Sequence, residues 1–430
     1  MNVSPTLQRY LYPLVALAWI IVLVATYWQT PSVDLTAVYV AGVAAAKGMP
    51  EAIFAIQPDF LGPGPGPAVV EGIKAELGLV GHPTVPYIYP PIWAWVIAPI
   101  TQLVSQPVFS KAVLVLHCLM LAATVGLTWR IVRPPKMSFQ TWVFLGFLVL
   151  FTSTPAHHAI VYNQPQITTI FLVALAFERY RSGFFILAGG ILAVAAALKL
   201  SPVLLALIFL LDRNWRALGG FVVVGGVLGL SSIAIAGWPM HLEFLALLSK
   251  INKLVILQSV NNSPEMIIFQ IASLLQGKEV FWEAMQTVTH PEPFWLSSLM
   301  ALVKLMALAS LILMRPRLVP GTAVPVLLLG FSLATALFGP VSWSHSFLLP
   351  LLLMPTLFHL VSRRSAWVLI ITILLLQCSP AYVVYVSLSS ALYVTSLIGV
   401  LCYLGLLIVL VATVLRAVRF EPEVPLHYRK

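Results

Sequence analysis

The stretch LAGGILAVAAALKLSPVLLALIFLLDRNWRA, residues 187–217, contains two apolar runs that are separated only by Lys-Leu-Ser-Pro and that end at a turn with two arginines. Apolar runs of this kind recur along the whole chain of 430 residues. Runs of roughly 17–25 apolar residues cross a bilayer as helices, because a helix satisfies its own backbone hydrogen bonds where no water is present. The pattern predicts an all-α polytopic membrane protein with a single domain over residues 1–430.

The composition excludes other classes of protein. Hydrophobic residues make up 60% of the chain and charged residues only 9%, whereas a soluble domain has about 25% charged residues. A membrane β-barrel would show short alternating segments, and the sequence shows none. The net charge of +10 is spread over small clusters between the apolar runs, which is typical of topology signals rather than of nucleic-acid binding.

Hydropathy predicts about twelve transmembrane helices, near residues 11–28, 110–129, 139–154, 166–178, 183–198, 201–212, 217–236, 294–314, 321–338, 345–361, 366–386 and 390–415. With the N-terminus in the cytoplasm, every arginine falls on the cytoplasmic side, as the positive-inside rule requires. The C-terminus is then cytoplasmic as well. The basic residues assigned to this side are Arg9, Arg130, Arg133, Lys136, Arg179, Arg181, Arg213, Arg216, Arg315, Arg317, Arg363, Arg364, Arg416, Arg419, Arg429 and Lys430.

This topology leaves two large external regions, residues 29–108 and 237–293. The segment YPPIWAWVIAPITQLVS, residues 89–105, resembles a span, but counting it as one would move Arg130 and Arg133 to the outer side. Its adjacent prolines and two tryptophans are typical of an interfacial helix. We therefore expect interfacial helices in the first external region. We also expect the functional site on this side, because the cytoplasmic turns are short.

Three external residues could carry chemistry, and each also has an ordinary structural explanation. Asp34 is either the N-cap of the small-residue helix that follows it or a general base that faces a cavity. Lys199 either extends to the membrane interface or supplies a point charge for a phosphate group. His345, at the outer end of a span, either extends to the interface or forms a hydrogen bond with a phosphate or hydroxyl group.

Polar amides occur in the same external turns. Asn163 and Gln166 stand at the start of a span, where amides are costly unless they line a pocket. Asn262 lies in the run NNSP and is typical of a helix cap. His157 and His158 are adjacent and would point in divergent directions on a helix, so the pattern does not favour a metal site.

Six segments occur in one order along residues 30–360. They are VDLTAVYVAGVAAAKG, YIYPPIWAWVIAP, YNQPQITTIFLVALAF, LAGGILAVAAALKLSPVLLALIFLLDRNWRA, VNNSP and GPVSWSHSFLLPLLL. The ordered set resembles the bacterial GT-C glycosyltransferases of family 87, which include mycobacterial mannosyltransferases of phosphatidylinositol mannoside synthesis.

The resemblance implies an inverting glycosyltransferase at the extracytoplasmic face of the bacterial plasma membrane. Its donor would be a polyprenyl-phosphate sugar, with mannose the favoured hexose, and its acceptor a lipid or a glycan. Asp34 would be the general base, and Lys199 and His345 would stabilise the departing polyprenyl phosphate. A single aspartate without a paired acid argues against an obligatory metal, so we predict a reaction that needs no metal or other cofactor.

The resemblance also marks candidate binding residues. The family's YPP segment corresponds to Tyr89 and the two prolines after it, and its SW-x-H element includes Trp343, although relatives often have two histidines there. Where the family usually has Gly-Gln-x-Asn, this chain has NQPQ, so only Asn163 and Gln164 can be aligned. The candidate substrate-binding residues are thus Tyr89, Asn163, Gln164, Gln166, Lys199, Asn262, Trp343 and His345.

Two other functions are compatible with a polytopic membrane protein. A transporter or flippase of lipid-linked sugars usually has inverted repeats and charges buried within spans. Here no repeat is evident, and Lys304 is the one clear charge within a predicted span. A polymerase-like or ligase-like membrane transferase would need its main external loop late in the chain, whereas the largest external region here comes early.

Overall fold

The computed structural model describes residues 5–55, 66–135, 137–278, 287–339, 341–389 and 392–416. These ranges contain the helices α1 (Pro5–Tyr27), α2 (Val33–Ala46), α3 (Ala68–Glu76), α4 (Ile92–Leu103), α5 (Gln106–Val132), α6 (Phe139–Thr152), α7 (Thr154–Val161), α8 (Gln166–Arg181), α9 (Phe185–Leu198), α10 (Leu207–Leu211), α11 (Trp215–Ala236), α12 (Trp238–Ile251), α13 (Pro264–Leu275), α14 (Phe294–Met314), α15 (Pro320–Phe338), α16 (Leu348–Leu353), α17 (Arg363–Leu376), α18 (Ser379–Leu388) and α19 (Val394–Arg416). Short 3-10 helices occur at Pro50–Ala52, Ser201–Ala206, Arg315–Arg317, Ser344–Phe347 and Met354–His359.

Six helices of this described part are long and apolar enough to cross a membrane, namely α1, α5, α11, α14, α15 and α19. A seventh span results if α7 and α8, which meet at an angle of 119°, are counted together. The protein is therefore an all-α polytopic membrane protein. All twelve predicted stretches contain helix, but several are too short to cross a bilayer alone, so helix length does not establish the number twelve.

Three of the predicted helices are not single α-helices. Residues 201–212 contain the 3-10 helix Ser201–Ala206 followed by α10. Residues 345–361 form a succession of short 3-10 and α-helical pieces instead of one helix. Residues 366–386 divide into α17 and α18, because Pro380 has no N–H group to donate to the carbonyl of Leu376. The backbone N–H of Thr154 donates to the carbonyl of Gln377 at this break (2.8 Å).

The bundle has a buried centre and a lipid-facing periphery. In α15, 72% of the spanning window is buried, whereas α11 is buried over only 11% of its window. Helices α9 and α11 lie unusually close together at their glycines. A Cβ atom on Gly189 would come within 2.0 Å of the carbonyl oxygen of Ala217, and one on Gly220 within 2.3 Å of the carbonyl oxygen of Ile186. Small residues permit such close helix contact in membrane proteins.

Arginine-bearing turns from different parts of the chain meet at one end of the bundle. Glu178 pairs with Arg179 (2.5 Å) and with Arg130 (3.5 Å), which joins the ends of α5 and α8. Asp212 pairs with Arg315 (2.5 Å), which joins the ends of α10 and α14. The predicted topology places all of these residues on the same side of the membrane, and their ion pairs agree with that placement. Of the basic residues assigned to that side, Lys136, Arg419, Arg429, Lys430 and the side chain of Arg9 lie outside the described residues.

The helices α2, α3 and α4 and the described residues next to them form a second apolar cluster, which we call the outer cluster and which also contacts Phe109 of α5 and Met240 of α12. Helix α4 has 12 residues and is about 18 Å long, too short to cross a hydrocarbon core of about 30 Å. It packs along α2, where a Cβ atom on Gly42 would come within 2.7 Å of the Ile97 side chain. Trp93 Nε1 donates a hydrogen bond to the carbonyl of Ala197 in α9 (2.6 Å) and so ties the outer cluster to the bundle.

The second external region contains an element that the sequence did not predict. Strand β1 (Leu254–Leu257) pairs antiparallel with β2 (Val288–Pro291), with Leu254 opposite Pro291. Helix α13 lies between the two strands in the chain, and residues 279–286 of the connection lie outside the described ranges. The end of β1 and the side of α12 that faces it form part of the site described next.

Candidate functional site

A cavity of about 240 Å³ lies where the outer cluster, the bend between α7 and α8, the break after α9 and strand β1 meet. Its apolar wall includes Phe244, Leu248 and Ile251, which succeed one another along one face of α12. The polar side chains that line it, with three aromatic ones among them, come from six distant parts of the sequence. They are Asp34, Tyr89, Tyr162, Gln164, Lys199, Ser201, Gln258, Trp343, Ser344 and His345.

Asp34 lies in the first turn of α2 and faces this cavity. Ser32 occupies the N-cap position, so Asp34 is not the N-cap residue that the structural explanation expected. The Gln164 side chain lines the same cavity as Asp34 and is close enough to act on its carboxyl group. Burial raises the pKa of Asp34 to about 7, although the positive charge of Lys199 and the Gln164 amide both lower it.

Lys199 is held in the cavity by a break in the helix. Helix α9 ends at Leu198 because Pro202 has no N–H group to donate to the Leu198 carbonyl, and Lys199 itself adopts an extended backbone (φ −151°, ψ 130°). Burial lowers the pKa of Lys199 to about 8, and the Asp34 carboxylate partly opposes this shift. Lys199 therefore lies opposite Asp34 in the cavity instead of extending to the membrane interface.

Asp34 and Lys199 attract each other across the cavity but form no ion pair within 4.0 Å. Both groups are charged in the same molecule mainly between pH 7 and pH 8, given pKa values of about 7 and about 8. The cavity thus combines a proton acceptor whose pKa is near neutral pH with a cation that forms no ion pair within 4.0 Å among the described residues. Such a pair can deprotonate a hydroxyl group and stabilise a developing anion.

The 3-10 helix Ser344–Phe347 supplies a further polar group. His345 is buried, and its Nε2 atom has no hydrogen-bond partner among the described residues. The neighbouring Ser344 places its Oγ atom 2.6 Å from Nδ1 of His158, and its backbone N–H donates to the carbonyl of Val260 (2.8 Å). Trp343 precedes this helix and forms an isolated backbone bridge with Asn261. The segment is therefore held firmly while its side chains face the cavity.

Three of the candidate substrate-binding residues are not among the residues that line the cavity. Asn163 uses its amide for hydrogen bonds within the protein. Gln166 is buried at the start of α8. Asn262 packs against Gly399, and its backbone N–H donates to the carbonyl of Ser342 (2.8 Å). The other candidates, Asp34, Tyr89, Gln164, Lys199, Trp343 and His345, all line the cavity.

Sequence reasoning missed several lining residues. Tyr162 and Ser344 lie beside candidates that were identified, and no pattern in the sequence distinguished them. Gln258 directly follows strand β1, which was not predicted. The histidine pair diverges as expected, because His157 Nδ1 contacts the Tyr27 hydroxyl (2.8 Å) while His158 contacts Ser344.

The cavity and the arginine-rich turns lie at opposite ends of the same helices. Helix α8 runs from Gln166, next to the cavity bend, to Arg181 at the arginine-rich end. Its 16 residues extend over about 24 Å. Helix α9 likewise runs from Phe185 at the arginine-rich end to Leu198, directly before Lys199. The site is therefore at the end of the bundle opposite the arginine-rich turns.

The described residues contain no group of three His, Cys, Asp or Glu side chains that could hold a metal ion. The absence of a metal from the reaction stays a prediction. A family model described as glycosyltransferase family 87 matches residues 87–355, more than half of the chain. The match includes Tyr89, Gln164, Lys199 and His345 and begins after Asp34. No curated protein matches the chain.

Proposed function

This chain belongs to glycosyltransferase family 87, and we propose that it transfers a hexose, with mannose favoured, from a polyprenyl-phosphate donor to a hydroxyl group of a lipid or glycan acceptor. The observation that carries this proposal is the pair of Asp34 and Lys199, oppositely charged and without an ion pair between them, in one cavity. A transferase that expels a phosphate needs a base on one side of the anomeric carbon and a cation on the other.

Asp34 is the general base in this proposal. The acceptor hydroxyl loses its proton to the Asp34 carboxylate while its oxygen forms a bond to the anomeric carbon. A base with a pKa of about 7 suits proton abstraction at neutral pH, because enough of it is ionised and it still holds the proton well. Gln164, whose amide acts on the carboxylate, orients it. Attack from the face opposite the leaving group inverts the anomeric configuration.

Lys199 stabilises the leaving group. The bond between the anomeric carbon and the phosphate oxygen breaks through an oxocarbenium-like transition state, and the electron pair leaves with the polyprenyl phosphate. A monophosphate gains negative charge in this step, and a buried ammonium group stabilises that charge strongly because water is excluded. His345 and Ser344 are positioned on the same wall to form hydrogen bonds with the phosphate or with sugar hydroxyls.

The remaining lining suits a sugar joined to a lipid. Tyr89 and Trp343 present aromatic surface on which an apolar sugar face can pack. Phe244, Leu248 and Ile251 of α12 continue the cavity with apolar side chains, which favour the first isoprene units of a polyprenyl chain. A free nucleotide sugar would gain nothing from this apolar wall.

We place the site on the extracytoplasmic side of a bacterial plasma membrane. The support is the position of the cavity at the end of the bundle opposite Arg130, Arg179 and Arg315, together with the positive-inside rule. The N-terminus and C-terminus are then cytoplasmic. Polyprenyl-phosphate sugars can be used on that side, where nucleotide sugars are absent.

The test is a transfer assay with the full chain in proteoliposomes. Radiolabelled polyprenyl-phosphate mannose and a nucleotide-linked mannose are compared as donors with a lipid extract as the acceptor. Asp34→Asn should lower turnover about 10³-fold, whereas Glu243→Gln, the same chemical change on the exposed side of α12, should leave it unchanged. Full activity of a folded Asp34→Asn variant would refute the role of the base, and transfer from the nucleotide donor alone would refute the proposed donor.

A further inference from the structure

A buried network of polar side chains lies directly behind the cavity. Its centre is Asn163, at the bend between α7 and α8, which is 2% exposed. Asn163 Nδ2 donates to the carbonyl of Ser110 (2.9 Å) and to Ser32 Oγ (3.2 Å). Its Oδ1 atom lies 2.7 Å from Nδ1 of His117. One amide therefore connects α5, the N-cap of α2 and the bend.

The hydrogen bonds of this network run in one direction. An amide oxygen only accepts hydrogen bonds, so Nδ1 of His117 carries the proton and donates to Asn163. Nε2 of His117 then accepts from the hydroxyl of Thr168, 3.1 Å away. The imidazole is thereby fixed as one neutral tautomer, and both of its nitrogens are engaged. All donors and acceptors of the Asn163 amide have partners, which makes its orientation unique.

The backbone at Asn163 turns the chain toward Asp34. Its φ angle is +51°, in the left-handed region that asparagine tolerates better than most other residues. This conformation points the Asn163 side chain into the bundle and that of the next residue, Gln164, into the cavity. Gln164 and Asp34 line this cavity together, and the Gln164 amide acts on the Asp34 carboxyl group. Ser32, which Asn163 also holds, precedes Asp34 by two residues.

We infer that Asn163 is a positioning residue, which holds Gln164 and the start of α2 so that the Gln164 amide donates to the Asp34 carboxylate. The inference rests on the proposed role of Asp34 as the base, and it assigns Asn163 a place behind the substrate instead of a contact with it. Loss of the Asn163 amide releases both partners of the Gln164–Asp34 hydrogen bond together. Since that bond favours the ionised carboxylate, its loss raises the pH at which Asp34 ionises.

The other titratable groups that act on Asp34 are not held by the Asn163 amide. Lys199 approaches from the break after α9, Tyr89 from the segment before α4, and Tyr162 from the end of α7. None of these three side chains bonds to the Asn163 amide. A shift in the ionisation of Asp34 in a variant of Asn163 therefore reports the Gln164 contact.

The test follows the protonation of Asp34 with and without turnover. The carboxyl band in the infrared difference spectrum, wild type minus Asp34→Asn, gives the ionisation midpoint in the full chain. The variant Asn163→Gly removes the amide and still permits the left-handed backbone. It should raise the midpoint by about one pH unit and should move the rising limb of the kcat/KM profile equally, with kcat reduced more than the KM for polyprenyl-phosphate mannose is raised.

Two further variants separate positioning from a general loss of structure. Gln164→Leu should give the same shift, and the double variant with Asn163→Gly should add nothing to it. Asn214→Gly removes a comparable side-chain hydrogen bond, the cap of α11 at the arginine-rich end (3.1 Å), and should lower thermal stability without moving the midpoint. If the Asn163→Gly protein is not produced in folded form, Ser32→Ala takes its place. This variant removes one hydrogen bond of the network and should shift the ionisation midpoint of Asp34 by a smaller amount.

The results that would overturn the inference about Asn163 differ from those that would refute the proposed function. A midpoint in Asn163→Gly equal to that of the wild type, or shifts of Asn163→Gly and Gln164→Leu that add in full, would overturn the inference. The infrared result does not depend on turnover, so it stands even if polyprenyl-phosphate mannose is not transferred. A wild type that transfers no sugar would refute the proposed function instead.

Discussion

Replacement of Lys199 with arginine keeps a positive charge in the cavity but removes a group that loses its proton near neutral pH. The proposed mechanism needs Asp34 ionised and Lys199 protonated, and the pKa values of these groups are about 7 and about 8. The kcat/KM of the wild type should therefore rise with pH through about 7 and fall above about 8. At pH 9, about a tenth of the wild-type molecules have both groups in the active form. Nearly all molecules of Lys199→Arg would have both, because arginine does not lose its proton in this range.

The assay is the initial rate of transfer from labelled polyprenyl-phosphate mannose at low donor concentration, between pH 5.5 and pH 9.5 in proteoliposomes. Lys199→Arg should keep the rising limb and lose the falling limb, even if its rate at the optimum is about ten-fold lower because the planar guanidinium fits the site less well. Lys250→Arg, the same change on the exposed side of α12, should keep the wild-type profile. A falling limb that persists unchanged in Lys199→Arg would refute the assignment of Lys199 as the cation.

Two further changes test the packing and the wall of the cavity. Gly189→Ala should lower the thermal unfolding temperature of the purified protein and its yield, because the added Cβ atom would come within 2.0 Å of the Ala217 carbonyl oxygen. Overpacking of this kind costs about 1–3 kcal/mol. The control is Gly226→Ala, where no atom lies within 4 Å of the added Cβ atom, and it should leave both the unfolding temperature and the yield unchanged. Ser344→Ala should raise the KM for polyprenyl-phosphate mannose about five- to ten-fold, with a smaller effect on kcat. The reason is that the variant lacks the hydroxyl group that His158 orients and that we expect to contact the donor. An unchanged KM would exclude that contact.

Hydropathy alone predicted the long spans well. Helices α1, α5, α11 and α14 each contain a long apolar run with few charged residues, and their positions follow from composition. Whether an apolar run forms one continuous helix was harder to predict, because apolar residues are equally compatible with one long helix and with several short ones. The break between α17 and α18 depends on Pro380, and strand β1 is a run of four apolar residues whose partner lies about thirty residues further along the chain.

The sequence drew attention to polar residues that follow or precede long apolar runs, and their roles in the reaction stay predictions. Asp34, Lys199 and His345 are of this kind, and the structure brings them to one cavity. The sequence did not distinguish Asn163 from Gln164. The directions in which these two neighbouring side chains point depend on the backbone angles at the bend, which the sequence alone does not give. The side chains that support a site from behind depend on such local geometry, and no composition rule reveals them.

The hydrogen bond from Trp93 to the Ala197 carbonyl joins the two parts of the fold that carry Asp34 and Lys199. Asp34 belongs to the outer cluster, whereas Lys199 stands two residues after Ala197 and belongs to the bundle. In the proposed mechanism, the group that activates the acceptor and the group that stabilises the departing phosphate therefore stand on two different parts of the fold, which this hydrogen bond joins. The distance between proton acceptor and cation then depends on the contacts between the two parts as well as on the packing inside each of them.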